Sequence, residues 1–246
     1  MTPPPSSSAA IVVIGNEILS GKVPDSNARF LVDELRKLGV KLEGVFVIPD
    51  NWKAIAVLVR RIETLFDHII TTGGIGPTHD DVTMQGIAHG LRTCLKRNEA
   101  YEKHVLRFHG SEASESLSKM AELPEETELI SVNDCPLPVI KVRNFFVLPG
   151  EPTLFKKQFE GIRTRFQGEP FFVKRIFLTV PEEEVAHILE NAQNQFPEAE
   201  IGSYPDFQNK DYKVQVVIDS KSDLLNQEVA GYIFDRIPKQ FVFKSN

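Results

Sequence analysis

The stretch TTGGIGPTHDDVT, from Thr71 to Thr83, places three glycines ahead of a histidine and two adjacent aspartates. Glycine lets successive backbone N–H groups approach an anion closely, and a helix following the turn adds its positive end. Adjacent carboxylates at Asp80 and Asp81 would repel a phosphate unless a hard divalent cation sits between them. Mg2+ typically takes one or two carboxylates together with phosphate oxygens and water. The stretch therefore points to a metal–phosphate ligand, with Asp80 and Asp81 on the metal and Gly73, Gly74 and Gly76 cradling the anion. A purely structural reading of the same residues stays open. Thr78 and Asp81 also fit a capping box, Asp80 suits a helix dipole, and His79 suits an ordinary loop.

Such residues need elements to hold them. AIVVIG (Ala10 to Gly15) reads as a strand buried on both faces, and KLEGVFVIPD as a second strand. HIITTGG is a third strand and FFVLPGEP a later one. Between them, Leu31, Leu35 and Leu38 recur at helical spacing, with Gly39 as the stop. Asn51 reads as the cap of a helix bearing Trp52, Ile55, Val59, Ile62 and Phe66 on one face. Met84, Ile87, Ala88 and Leu91 mark another helix. Pro152 suits the first position of one carrying Phe155, Phe159, Ile162 and Phe166. Strands alternating with helices predict a mostly parallel sheet. The stretch between Lys96 and Glu128 reads as mostly helical.

Residues 1–9 (Pro, Ser and Ala-rich) read as a disordered tail, residues 10–167 as the α/β domain, and residues 168–246 as a small second domain. The second domain's order, strand–helix–strand–strand–helix–strand, predicts a ferredoxin-like α+β arrangement.

Loops leaving the carboxyl ends of parallel strands share one edge, where ligands bind. That edge gathers Glu17, Asp25, Asn27, Asp50, Asp80, Asp81, Gly150 and Glu151. Here too bland roles stay open, since Asp25 and Asn27 could cap a helix, Asp50 could be a turn residue and Glu151 a dipole partner. GNEILSGKV is not a P-loop: Val23 stands where the metal-binding Ser or Thr is needed. GGIGPT lacks the third glycine of the dinucleotide fingerprint.

Composition narrows the class. The 246 residues are 41% hydrophobic and 25% charged, with a net charge of −6, which argues against a general nucleic-acid binder. No apolar run is long enough to span a bilayer, and no signal-peptide pattern is present. Cys94 and Cys135 form no metal or disulfide motif, so a cytoplasmic setting is expected.

VIGNEILSGKVPDSNARFL, VIPDN, TTGGIGPTHDDVT and LPGEP together resemble the molybdopterin-binding domain family of molybdenum-cofactor biosynthesis and CinA-like proteins. GGIGPTHDD is more similar to the CinA-like branch than to the pterin adenylyltransferases. GSYPDF (Gly202 to Phe207), with YKVQVVIDS after it, resembles the amino-terminal half of eukaryotic FAD synthases. The resemblance implies a three-layer α/β/α sandwich with its site where the four loops meet. It also implies functional aspartates at Asp50 and Asp81 and an anion-binding glycine loop at Gly73, Gly74 and Gly76. The activity it implies is metal-dependent hydrolysis of a nucleotide pyrophosphate, FAD to FMN and AMP or ADP-ribose, with Mg2+ or Co2+ and often K+. A dimer or trimer is implied as well. Three alternatives stay open: a non-catalytic nucleotide- or pterin-binding module, adenylyl transfer to molybdopterin, and a structural role in assembly. FAD synthesis is not expected, because it belongs to a separate PAPS-reductase-type domain for which the chain, ending at Asn246, leaves no room.

Overall fold

A strand whose residues are all apolar can be buried only if both faces of its sheet are covered, and this determines the architecture of the first part of the chain. In the computed structural model, which describes residues 7–110 and 115–245, that strand is β1 (Ser8–Ile14). It pairs in parallel with β2 (Lys41–Ile48) on one side and β3 (His68–Thr72) on the other. β3 pairs in parallel with β8 (Phe145–Leu148), and the short antiparallel strands β7 (Val139–Val142) and β6 (Thr127–Ile130) complete the order β2-β1-β3-β8-β7-β6. Alternate residues of β1 enter different cores. Val12 and Ile14 pack with one buried cluster, and Ala9, Ile11 and Val13 with the other. The first cluster lies under α3 (Trp52–Ile62), α4 (Thr83–Leu91), α5 (Glu99–His109) and α6 (Glu115–Met120), the second under α2 (Asn27–Lys37) and α7 (Pro152–Ile162). The result is a three-layer α/β/α sandwich.

Local chemistry sets the helix ends. Asn51 accepts hydrogen bonds from the N–H groups of Lys53 and Ala54 at 3.0 and 3.1 Å. Glu151 does the same for Thr153 and Leu154, with Pro152 opening α7. Its carboxylate is held ionised below its ordinary pKa by those two N–H groups, Leu154 first. α2 ends before Gly39, whose φ is +74°. Phe66 lies beyond the end of α3 and joins the same core from the following turn.

One sequence expectation is corrected. Residues 8 and 9 are not tail but the start of β1, because Ser8 is clasped by Asp67, which accepts from its N–H at 2.8 Å and its hydroxyl at 3.0 Å; residues 1–6 lie outside the described residues. The stretch 96–128 is helical over more than half of its described residues, and short strands flank the helices. It contains α5 and α6 but also β4 (Leu95–Arg97) paired with β5 (Glu122–Pro124), and then β6; residues 111–114 lie outside the described residues. The sheet also gains its antiparallel end through a tight turn between β7 and β8, where Arg143 adopts φ +52° and Asn144 donates to the carbonyls of Glu63 and Phe66.

Contacts divide the chain into two compact units, Met1–Glu169 and Pro170–Asn246. The second contains β9 (Phe172–Leu178), α8 (Glu182–Gln195), β10 (Glu200–Pro205), β11 (Val214–Ser220), α9 (Asp223–Phe234) and β12 (Val242–Ser245). Its antiparallel sheet, ordered β10-β11-β9-β12, is the ferredoxin-like arrangement, with a core of its own under α8 and α9. No helix among the described residues is long and apolar enough to cross a membrane.

In the first unit, α3 and α4 pack closely because α4 turns Gly86 and Gly90 toward Ile55 and Val59. A β-carbon on Gly90 would lie 2.5 Å from Val59 Cγ1 and 3.0 Å from the Ala56 carbonyl oxygen. A Gly-to-Ala change in a helix normally gains about 1 kcal/mol, but here the overpacking, about 1–3 kcal/mol, falls on branched carbons next to the partner backbone. We therefore expect Gly90→Ala to destabilise the chain, and Gly90→Val to do so more strongly, as a lowered urea midpoint with unchanged slope.

Candidate functional site

β2, β1, β3 and β8 run parallel, so their carboxyl ends place Asp50, Gly15, Gly73 and Pro149 along one edge. The chain leaves β3 through Gly73 at φ +99°, and a β-carbon there would sit 2.1 Å from the Ile14 carbonyl oxygen. Only glycine fits this crossing over the end of β1. A β-carbon on Gly150 would lie 3.4 Å from the Gly73 Cα, so the loops after β3 and β8 pack backbone on backbone.

Asn27, the first residue of α2, joins these loops. Its Nδ2 donates to Thr72 Oγ1 and to the Gly150 carbonyl, both at 2.9 Å. The Thr72 hydroxyl donates in turn to the Pro149 carbonyl at 2.9 Å. A hydroxyl has one proton, so Thr72 must accept from Asn27, and the amide orientation follows. Asn27 is 5% exposed, and its buried Oδ1 has no hydrogen-bond partner among the described residues. Asp25 accepts from the N–H groups of Asn27 and Ala28, so it caps the start of α2.

The glycine loop differs from expectation at its first residue. Gly73 does not offer its N–H to a ligand, since that group donates to the Leu148 carbonyl at 3.3 Å. The carbonyls of Gly73 and Gly74 are taken by the hydroxyl and N–H of Thr83, the first residue of α4. The N–H groups of Gly74, Ile75 and Gly76 have no partner among the described residues. The open amides therefore run from Gly74 to Gly76.

Asp80 and Asp81 converge on Thr78. Its hydroxyl lies 2.6 Å from Asp80 Oδ1 and 2.5 Å from Asp81 Oδ2, and its N–H donates to Asp81 Oδ2 at 2.8 Å. One hydroxyl proton serves two carboxylates. The capping-box reading is met only as a turn, because α4 begins later, at Thr83. The Asp81 carboxylate lies over Gly76, 2.8 Å from where a β-carbon would be. The Thr78 hydroxyl holds the Asp80 carboxyl below its ordinary pKa, helped by the charges of His79 and Lys119.

Asp50 Oδ2 accepts the Asn16 N–H at 2.7 Å, tying the loop after β1 to the loop after β2. Burial raises the Asp50 pKa; the Asn16 bond opposes this, and the charges of Glu17, Asp80 and Asp81 add to it. Glu17 itself folds back over Gly15, its Oε1 2.5 Å from where a β-carbon would lie. The structure thus brings Glu17, Asp80 and Asp81 within electrostatic reach of Asp50 on one edge.

Two carboxylates meeting at one small group match the number Mg2+ takes from protein. Among the described residues no set of three or more His, Cys, Asp or Glu side chains forms a metal-binding group. A cation at Asp80 and Asp81 would complete its shell with ligand oxygens and water, and it would relieve the repulsion felt at Asp50. The residues present fit a divalent ion.

β4, α6 and β5 supply the part that sequence reasoning missed. With the Thr78–His79 turn they wall a cleft of about 680 Å3 whose lining includes Arg97, Ser118, Lys119 and Glu122. A smaller recess beside it is lined by Gly74, Ile75, Gly76, Asp81 and again Lys119. Unpartnered amides, a carboxylate pair and a roomy cleft thus lie together on the carboxyl edge of a parallel sheet, where α/β domains bind their ligands.

The chain belongs to the family described as "Probable molybdopterin binding domain", matched over residues 10–167, and residues 170–246 match "FAD synthase, middle domain". It is 30% identical to a "Probable FAD synthase" of Caenorhabditis elegans, over 98% of this chain and 52% of that protein. A second, from Caenorhabditis briggsae, is 31% identical over 90% of this chain and 48% of that protein. The chain thus spans about half the length of these nematode relatives. The solved structure of a CinA protein of unknown function from Thermoplasma acidophilum superimposes with a TM-score of 0.60 at 25% identity, over 65% of this chain and 98% of that one.

The Thr72 relay can be tested by itself. Thr72→Val strands an Asn27 N–H and the Pro149 carbonyl in the interior, and each unmade buried bond costs about 1–3 kcal/mol. We expect a loss of that size in chemical denaturation, largely recovered in Thr72→Ser, which keeps the hydroxyl.

Proposed function

We propose that the chain hydrolyses a nucleotide pyrophosphate, with FAD, split into FMN and AMP, as the first candidate substrate. The observation that carries this reading is the run of unpartnered amides at Gly74, Ile75 and Gly76 directly beside the Asp80–Asp81 pair. The match of residues 170–246 to a domain of FAD synthases points to a flavin nucleotide. The nematode relatives' name belongs to chains about twice as long, and their synthetic activity is not carried over to this one.

Each residue has a task. The Gly74–Gly76 amides hold the phosphoryl oxygen on which negative charge grows during attack, where preorganised donors contribute most. Asp80 and Asp81 would hold Mg2+ or Co2+, which would supply Lewis-acid polarisation of the phosphoryl group. Asp50, with one oxygen engaged by Asn16 and its basicity raised by its surroundings, takes the proton of the attacking water. Water adds to one phosphorus, the bridging P–O bond breaks, and the departing monophosphate carries the electron pair. Asn27 positions the loops and does not itself enter the reaction. Glu17 shapes the charge around Asp50.

A pterin-binding module without turnover uses the same loops and is favoured by the family description. The two readings part in one experiment. Purified chain incubated with FAD and Mg2+ or Co2+, with K+ present or absent, should release FMN and AMP in equal amounts, and a chelator should stop it. Asp81→Ala should lower the rate by about 100-fold or more, the scale of a lost Lewis acid. Ligand-dependent thermal stabilisation without product would support the binding module instead.

A further inference from the structure

The cationic side chains around the cleft are not equivalent. Arg97 is already neutralised, because Glu102 accepts from its Nε at 2.9 Å and from its Nη2 at 2.6 Å. The Ser118 hydroxyl adds a third bond to that same carboxylate at 3.2 Å. Lys96 is paired with Glu125. Lys119 has no ion-pair or hydrogen-bond partner among the described residues, although Asp80, Asp81 and Glu122 share its surroundings.

Its attachment is fixed while its tip is free. The neighbours Leu117, Met120 and Ala121 are buried in the core under α4 and α5. The Ala121 carbonyl accepts from the Asn98 N–H at 2.8 Å. Lys119 itself is exposed and lines both spaces: the large cleft together with Thr78 and His79, and the recess together with Gly74, Ile75, Gly76 and Asp81. A lysine in the last turn of α6, lining both the recess beside the glycine loop and the larger cleft, is a point charge with three rotatable donors.

We propose that Lys119 holds the second phosphate of a diphosphate whose first phosphate rests on the Gly74–Gly76 amides, so that the site selects diphosphates over monophosphates. The proposal rests on the function proposed above and names the residue that would make it specific. Three amides and a divalent ion offset the charge of one phosphate. A second phosphate brings more negative charge to an edge already carrying Glu17, Asp50, Asp80 and Asp81, and an uncommitted cation is needed to keep it there.

Calorimetric titration of the full chain with AMP, ADP and inorganic pyrophosphate, each with Mg2+, tests the assignment. Wild type is expected to bind ADP more tightly than AMP. Lys119→Ala should weaken ADP and pyrophosphate about tenfold, the lower end for a hydrogen bond to a charged group, and change AMP less than about twofold. Lys119→Arg should recover most of the loss, while Lys103→Ala, on the exposed side of α5, should change nothing. Unchanged ADP binding in Lys119→Ala, or AMP weakened as much as ADP, overturns the assignment. Failure of wild type to bind any of the three overturns both this proposal and the pyrophosphatase reading. ADP binding that depends on Lys119, in a chain that does not cleave FAD, would leave the assignment standing and remove only the hydrolysis.

Discussion

The crossing of the chain over the end of β1 at Gly73 is the constraint on which the site depends. The Ile14 carbonyl oxygen occupies the space a side chain would need, and the Gly73 N–H is spent on Leu148. Three strand ends are therefore drawn together by backbone contacts alone. Asn27 and Thr72 then fasten the loop after β8 to the same point. What remains uncommitted, the amides from Gly74 to Gly76, is left so because their neighbours are fully engaged. A loop loose enough to satisfy its own donors would have no cradle to offer.

The electrostatics of the edge follow from this packing. Burial, with the charges of Glu17, Asp80 and Asp81 added to it, raises the cost of ionising Asp50. A protein interior tolerates such crowding only where partners or counter-charges compensate. Part of the compensation is internal: the Thr78 hydroxyl, the Asn16 N–H and a nearby lysine. The unbalanced remainder is a concentration of negative charge lying beside the uncommitted amides.

Much of the fold is legible in the sequence because its elements are long and well punctuated. The apolar run of β1, the Asn51 cap, Pro152 opening α7 and the βαββαβ order of the second unit all announce themselves locally. β6 and β7 do not. Each is four residues long, too short for a period to show, and Pro136 and Pro138 stand between them. Ser8 enters β1 because Asp67, 59 residues away, holds it, a contact that no local pattern reveals. At the site, the Thr78–Asp81 spacing is visible in the sequence, but whether it caps a helix or closes a turn depends on α4 starting at Thr83. Lys119 is a lysine in a polar stretch until folding carries it across to the glycine loop.

The pairing of β3 with β8 joins Ile69 to Phe145, whereas β7 and β8 meet through a two-residue turn. Closing a connection of that length costs chain entropy before any contact rewards it, so such parallel pairings form late. The meander β6–β7–β8 can assemble early and wait. The edge that carries the amides and carboxylates therefore rests on a long-range joint whose closure costs chain entropy that the β6–β7–β8 meander does not incur.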